Sequence, residues 1–275
     1  MPGFPARIHL LPALHARTVI AVARIRSKLF HVAAMDAQHG VVEHGSWFNG
    51  RLYPMRMDLA PHGDWLVYLA LGSNGKTWNG LSRAPWLHAE HCSENMGSWF
   101  GGGWFDGNGK LYTNGWTLPA DVLRPRGPIL LQTESYCSGE FGGEDLGVLY
   151  FRLLRDGWTR CGPNWGASQR LSDSAVNCNH VGDDGWELRP RRTLPRLHCA
   201  YAGYRNGYQF RFSWLDPCPI DLSQARWACW DAEANLWLAC PGEIRIYGAS
   251  RIHQGRVRHV VRTADWQPPP RITSA

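Results

Sequence analysis

Apolar and polar positions fall along this chain in short, punctuated runs with the period of strands. Thr18-Val-Ile-Ala-Val-Ala-Arg-Ile25 is a β-branched run that predicts a strand, with a short helix from Ala13 as the alternative. Lys28 to Ala34 predicts a second strand. Asp36-Ala-Gln-His-Gly40 supplies a turn, and Val41 to His44 pairs back. In Gly50 to Ala70, a strand ends at Met57-Asp58-Leu59, Pro61 pre-sets a turn that Gly63 completes, and Trp65 to Ala70 returns with alternating bulky and small residues. Trp99 to Tyr112 predicts a third hairpin with Asp106-Gly-Asn-Gly109 at its apex. Val148 to Leu154, closed by Asp156-Gly157-Trp158, predicts a further strand and turn, followed by Asp183 to Leu188. Ala225 to Ala239 and Glu243 to Tyr247 form the last unit, and residues 163 to 180 are expected to be a loop or insertion.

Composition agrees with many strands and few helices. The 275 residues are 44% apolar and include 15 tryptophans, 30 glycines and 18 prolines. Tryptophan suits half-buried pleated surfaces, while Gly and Pro punctuate short strands. Gly63, Gly109 and Gly157 lie 46 and 48 residues apart, near the length of a four-stranded propeller blade, but Gly185 follows after only 28. The expected fold is all-β, a β-propeller of about five or six four-stranded blades, with a pair of β-sandwiches as the alternative. The expected organisation is an N-terminal segment over 1–17, one domain over 18–266 and a proline-rich tail over 267–275.

A resemblance sharpens this expectation. Asp58-Leu-Ala-Pro-His-Gly-Asp-Trp-Leu-Val-Tyr68 resembles the hydrophobic-S-P-D-G-x-x-hydrophobic hairpin of WD40-like propeller blades of the TolB type. Trp47 to Phe105 is also similar to a group of uncharacterised bacterial proteins that carry G-R-[IL]-Y-P followed by D-L-[SA]-P-x-G. The likeness covers residues 18 to 115 and, more loosely, 145 to 262. His62 stands where the blade motif has aspartate, so the aspartate-mediated turn contact is lost. Propellers are mostly binding platforms, so the resemblance implies a non-enzymatic scaffold whose partner is another protein engaging the loop-rich face or central channel. It carries over no functional residues.

The formal charge is +6, and the cations are almost all arginine, Lys28, Lys76 and Lys110 being the only lysines. A basic balance permits an acidic partner without naming one. The eight cysteines include no C-x-x-C pair, which excludes a zinc ribbon or thioredoxin motif. Met1 to Leu14 lacks the layout of a secretory signal, and no apolar stretch approaches the roughly 20 residues of a membrane span. Reduced cysteines, a cytoplasmic location and no membrane partner are expected.

Candidate chemistry is sparse. His88, Glu90, His91 and Cys92 are all metal-ligand types, but a zincin needs its histidines at i and i+4 on a helix. Here they are three apart, and a short helical turn or loop is expected without a metal. Glu134, Glu140, Glu144 and Asp145 concentrate carboxylates in a glycine-rich stretch with Tyr136 and Phe141. Paired carboxylates about 5 to 9.5 Å apart can cleave glycosides, so a glycan-binding or glycan-processing protein is the alternative function. Trp99 and Trp104 flank Gly101-Gly-Gly103 and, with Tyr136 and Phe141, are the expected binding aromatics. Arg189, Arg191, Arg192 and Arg196, together with the run Arg251 to Arg262, support a second alternative, single-stranded nucleic acid. No nucleophile motif and no cofactor site is legible.

Overall fold

A computed structural model describes residues 6–95, 97–98, 100–118, 133–136, 146–161, 185–188, 193–204 and 207–269. The strands are β1 (Arg7–Pro12), β2 (Thr18–Arg26), β3 (Leu29–Asp36), β4 (Val42–Leu52), β5 (Asp58–Leu59), β6 (Trp65–Gly72), β7 (Thr77–Arg83) and β8 (Ala89–Asn95). These make one antiparallel sheet ordered β1-β2-β3-β4-β6-β7-β8, with β5 also paired to β6. β4 is the hinge of this sheet: residues up to Asn49 pair with β3, whereas Gly50 to Leu52 pair with β6. A small sheet follows, with β9 (Gly103–Phe105) antiparallel and β11 (Thr133–Tyr136) parallel to β10 (Leu111–Asn114).

Helix α1 (Leu146–Arg155) leads into an antiparallel meander of β12 (Thr159–Cys161), β13 (Gly185–Leu188), β14 (Leu197–Tyr204) and β15 (Gly207–Trp214). The last meander is β16 (Trp227–Trp230), β17 (Leu236–Cys240), β18 (Glu243–Tyr247) and β19 (His259–Arg262). The all-β class expected from the sequence is therefore observed, and no strand ladder closes into a barrel among the described residues. No described helix is long and apolar enough to cross a membrane.

The apolar runs look continuous because both faces of the first sheet are covered. On β2, Val19, Ala21 and Ala23 face one core cluster, shared with α1 and the last two meanders, while Ile20 and Val22 face a second, shared with β6. On β6 the same alternation sends Leu66, Tyr68 and Ala70 to the second cluster and Trp65 and Val67 to a third, completed by Phe105 and Leu111. The first sheet, divided at β4, thus packs β2 and β3 with β6 around the second cluster, while the last two meanders and the β9–β10 pair join it around the first and third. β1 joins the first sheet to the last: the Gly242 N–H donates to the Ala6 carbonyl at 3.2 Å, and Trp227 Nε1 donates to the Leu10 carbonyl at 3.0 Å. The segment ahead of Thr18 therefore contributes a strand with Leu10 and Leu11 wholly buried.

The hairpin over Asp58 to Ala70 forms in register, Asp58 opposite Val67 and Leu59 opposite Leu66. The Asp106–Lys110 apex also forms: Asp106 Oδ1 accepts from the N–H groups of Asn108 and Lys110 at 2.9 and 2.8 Å. Val148 to Leu154 is helix, not strand. Val148, Leu149, Arg152 and Leu153 are buried while Leu154 is exposed, the spacing of one helical face. Asp156-Gly157-Trp158 caps it. Gly157, at φ 85°, bonds the Leu154 carbonyl, and Trp158 bonds that of Leu153, a Schellman closure. His88 to Cys92 is likewise not a helical turn, since β8 begins at Ala89 and pairs with β7.

Gly102 is held at φ +72°, and a Cβ there would lie 2.0 Å from the Arg56 carbonyl oxygen. Gly102→Ala should cost about 3 kcal/mol or more in urea unfolding. Gly75→Ala, at φ +80° but with nothing within 4 Å, should cost about 1–2 kcal/mol. Equal losses would contradict the packing described at Gly102.

Candidate functional site

Helix α1 carries its arginines inward. Arg155, one turn after Arg152, meets Asp58 at the start of β5, where the Asp58 side chain is completely buried. Arg155 Nη1 and Nη2 form a fork on the two Asp58 oxygens, the second bond at 3.1 Å, and Nε and Nη2 reach Asp156 Oδ1 at 2.9 and 2.7 Å. Nη1 also donates to the Phe105 carbonyl at 3.1 Å, while Asp58 Oδ2 accepts from the Phe105 N–H at 2.8 Å. Burial opposes the Arg155 charge, but Asp156 and Asp58 outweigh it and hold its pKa above the usual value. Burial pushes the Asp156 carboxyl upward against the pull of Arg155.

Arg152 donates to the Pro54 carbonyl at 3.1 Å, to the Met57 carbonyl, and to His9 Nε2 at 2.7 Å. His9 is therefore neutral with its proton on Nδ1, and burial followed by the Arg152 charge holds its pKa well below the usual value. Its ring packs 4.1 Å from Trp227. Every charge in this network is answered from within, which makes it a clamp between sheets and not a receptor.

The glycine-rich aromatic stretch is also tied down. The Gly102 N–H donates to Asn79 Oδ1 at 2.8 Å, its carbonyl accepts Trp116 Nε1 at 2.6 Å, and Arg56 Nη1 reaches the Ser98 carbonyl at 2.5 Å. Trp104 stacks between Tyr112 and Phe151, with ring centroids 4.4 and 5.0 Å apart. Trp99 lies outside the described residues.

The other expected site residues do not assemble. On β8, His91 faces Leu81 and Cys92 faces Gly80 across the ladder, so neighbouring side chains alternate between faces, and His88 precedes the strand. No group of three His, Cys, Asp or Glu is placed to hold a metal among the described residues. Glu134 and Tyr136 contribute main chain to β11. Glu140, Phe141, Glu144, Asp145, Arg189, Arg191 and Arg192 lie outside the described residues. Arg196 is engaged with Asp216, at 3.2 Å between Nη2 and Oδ1. Cys92, Cys218, Cys229 and Cys240 carry free thiols.

One feature that sequence reasoning missed, and one that it saw only as a basic run, occur where the first and last sheets meet. His31, completely buried on β3, stacks on Trp47 at 4.1 Å, and Trp266 stands edge-on to it at 5.2 Å. His31 Nδ1 lies 3.2 Å from the Ser46 carbonyl and Nε2 lies 2.8 Å from His44 Nδ1. A neutral His31 donating through Nδ1 and accepting at Nε2 satisfies both contacts.

Beside this cluster runs β19, the edge strand of the last sheet. Val257 and Val260 are 45% and 44% exposed, and Val41 is 65% exposed next to Gly40, which packs on the His259 ring. Arg251, Arg256, Arg258 and Arg262 are exposed around them, and the chain carries no carboxylate between Glu243 and Asp265. Arg258 Nη2 reaches the Gln38 carbonyl at 3.4 Å, fixing part of this strip to the β3–β4 turn. The strip is thus an exposed apolar edge framed by guanidinium groups.

These features define a chain of stacked, mainly antiparallel sheets with a basic apolar edge. No family model and no curated protein matches it. Among solved structures, an uncharacterized protein of Listeria monocytogenes EGD-e is similar at 4% identity with a TM-score of 0.30. The match covers 88% of this chain and 59% of that one, so this chain spans less than two thirds of that protein's length.

Burial, offset in part by the Ser46 bond, lowers the His31 pKa from 6.5 to about 4. The folded state therefore binds this proton less readily than the unfolded chain, and stability is complete above pH 6.5 and falls as pH drops toward 4. His31→Gln should remove that dependence, narrowing its stability gap to the wild type by up to about 3 kcal/mol across the window. Urea unfolding of both proteins as a function of pH checks this, and a constant gap would contradict it.

Proposed function

We propose that this chain is a non-enzymatic protein-binding module that takes an acidic, extended segment of its partner along β19. The observation that carries the reading is the exposed pair Val257, just ahead of β19, and Val260 on this edge strand, framed by Arg251, Arg256, Arg258 and Arg262. An edge strand presents unpaired N–H and C=O groups, so an added strand gains main-chain hydrogen bonds. The valines supply anchors and the arginines select for carboxylates.

The scaffold we propose is a WD40-like propeller of five or six blades. Three features support this. Two sheets are four-stranded meanders, the first sheet divides at β4 into two pairing units, and these units share apolar clusters with β1 beside the last meander. In such an arrangement outer strands such as β19 are free to bind, while inner residues such as Asp58 and Arg152 hold the blades together.

Capture from native lysate after nuclease treatment tests the reading. The wild-type protein should retain a stoichiometric protein partner, released as ionic strength rises. Val257→Glu/Val260→Glu should retain about tenfold less or lower, as expected when anchors are lost and acidic charge is introduced. Leu215→Glu, at another exposed apolar position, should behave as the wild type. Undiminished capture by the double variant, or capture of nucleic acid or glycan in place of protein, would overturn the proposal.

A further inference from the structure

We propose that Arg7 and Arg24, with Arg51 beside them, bind the phosphate group of a small phosphorylated molecule at one end of the first sheet. The β1–β2 register sets Arg7 directly opposite Arg24, so two cations project from the same face of neighbouring strands. Like charges in that relation destabilise a sheet. Among the described residues no carboxylate pairs with either. The hairpin joining β2 to β3 adds Arg26 and Lys28, both exposed, and β4 brings Arg51, whose guanidinium lies 4.8 Å above the Tyr53 ring.

Among the described residues, the carboxylates of these strands lie away from this end. Between Met1 and Met57 the chain contains only Asp36 and Glu43. The register places Asp36 opposite Thr18 and Glu43 opposite Ala34, at the far end of the same strands. The last sheet approaches Ala6 at Gly242, but the neighbouring Glu243 carboxylate is held by Arg245 at 2.6 Å. None of Arg7, Arg24, Arg26, Lys28 or Arg51 forms an ion pair among the described residues. Arg24 has one hydrogen bond, from Nη2 to the Ser27 carbonyl at 3.0 Å, and keeps its remaining donors. Partial burial, then the charges of Arg7 and Arg51, lower its pKa, as expected of cations gathered without a counter-ion.

The chemistry of the missing counter-ion follows from these groups. Guanidinium forks match the oxygens of phosphate and grip them bidentately. Nucleic-acid strands are instead held by cations spread along a track, with free aromatic faces for the bases. Here the cations are gathered at one sheet end, and the Tyr53 ring is already approached by Arg51 and, at 5.5 Å, by Arg56. That arrangement favours a compact phosphomonoester or diphosphate.

Thermal unfolding at low ionic strength with pyrophosphate, inorganic phosphate and a dT20 oligonucleotide tests the site. Pyrophosphate should raise the wild-type Tm by several degrees, and more than inorganic phosphate does at equal concentration. Arg24→Gln and Arg51→Gln should each weaken this response about tenfold or more, while the ligand-free Tm of Arg24→Gln equals or exceeds that of the wild type. That second readout separates a binding arginine from a structural one, whose removal would lower the Tm. Three results would each overturn the proposal. These are no response to pyrophosphate, a response unchanged in both variants, or dT20 binding more tightly than pyrophosphate and competing with it.

Discussion

The buried fork between Arg155 and Asp58 is the interaction on which the rest of the structure depends. Removing two charges from water costs several kcal/mol per ion, and the pair recovers this only with near-complete hydrogen bonding. Here that condition is met. Asp156, the Phe105 carbonyl and the Phe105 N–H supply the remaining partners, and Arg152 extends the network to Pro54, Met57 and His9. Through these bonds a ten-residue helix, too short to be stable alone in water, touches the first sheet, β5, β9 and, by way of His9 and Trp227, the last meander. Apolar clusters stack the sheets, whereas the polar clamp fixes where they stack, because a buried guanidinium has few acceptable positions.

That division of labour separates the buried cations from those at the periphery. Cations inside the protein are consumed by Asp58, Asp156 and main-chain carbonyls. Among the described residues, those on β19 and at the Arg7–Arg24 end of the first sheet form no ion pair with a carboxylate. The two surfaces differ in kind. One is a linear apolar edge with flanking charge, suited to an extended segment. The other is a compact group of guanidinium heads, suited to an anion.

The hairpins were legible in the sequence wherever strand alternation met a strong turn, as at Asp58–Ala70 and Asp106–Lys110, because the local signals and the tertiary packing agree. The helix was not. Val148-Leu-Tyr-Phe-Arg-Leu-Leu154 is apolar at both helical and strand spacings, and only its burial pattern and the Gly157 cap decide between them. Misreading it hid Arg152 and Arg155, since arginine is expected at the surface unless paired. β1 was missed because prolines at both ends disguise its apolar run. The basic run around β19 was visible in the sequence, but its association with Val41 and Val260 was not. Arg7, Arg24 and Arg51 are far apart in the chain and become neighbours only through register and strand order.

A double-mutant cycle across Asp58→Ala and Arg155→Met, read by equilibrium urea unfolding, tests the central role of the clamp most directly. Each single variant strands a buried charge and should lose about 3–5 kcal/mol. The double variant should lose little more than either single, giving a coupling energy close to one single loss, at least about 2–3 kcal/mol, with one cooperative transition retained in the wild type. A coupling below about 0.5 kcal/mol, with the two losses simply adding, would show that the sheets are held together without this pair.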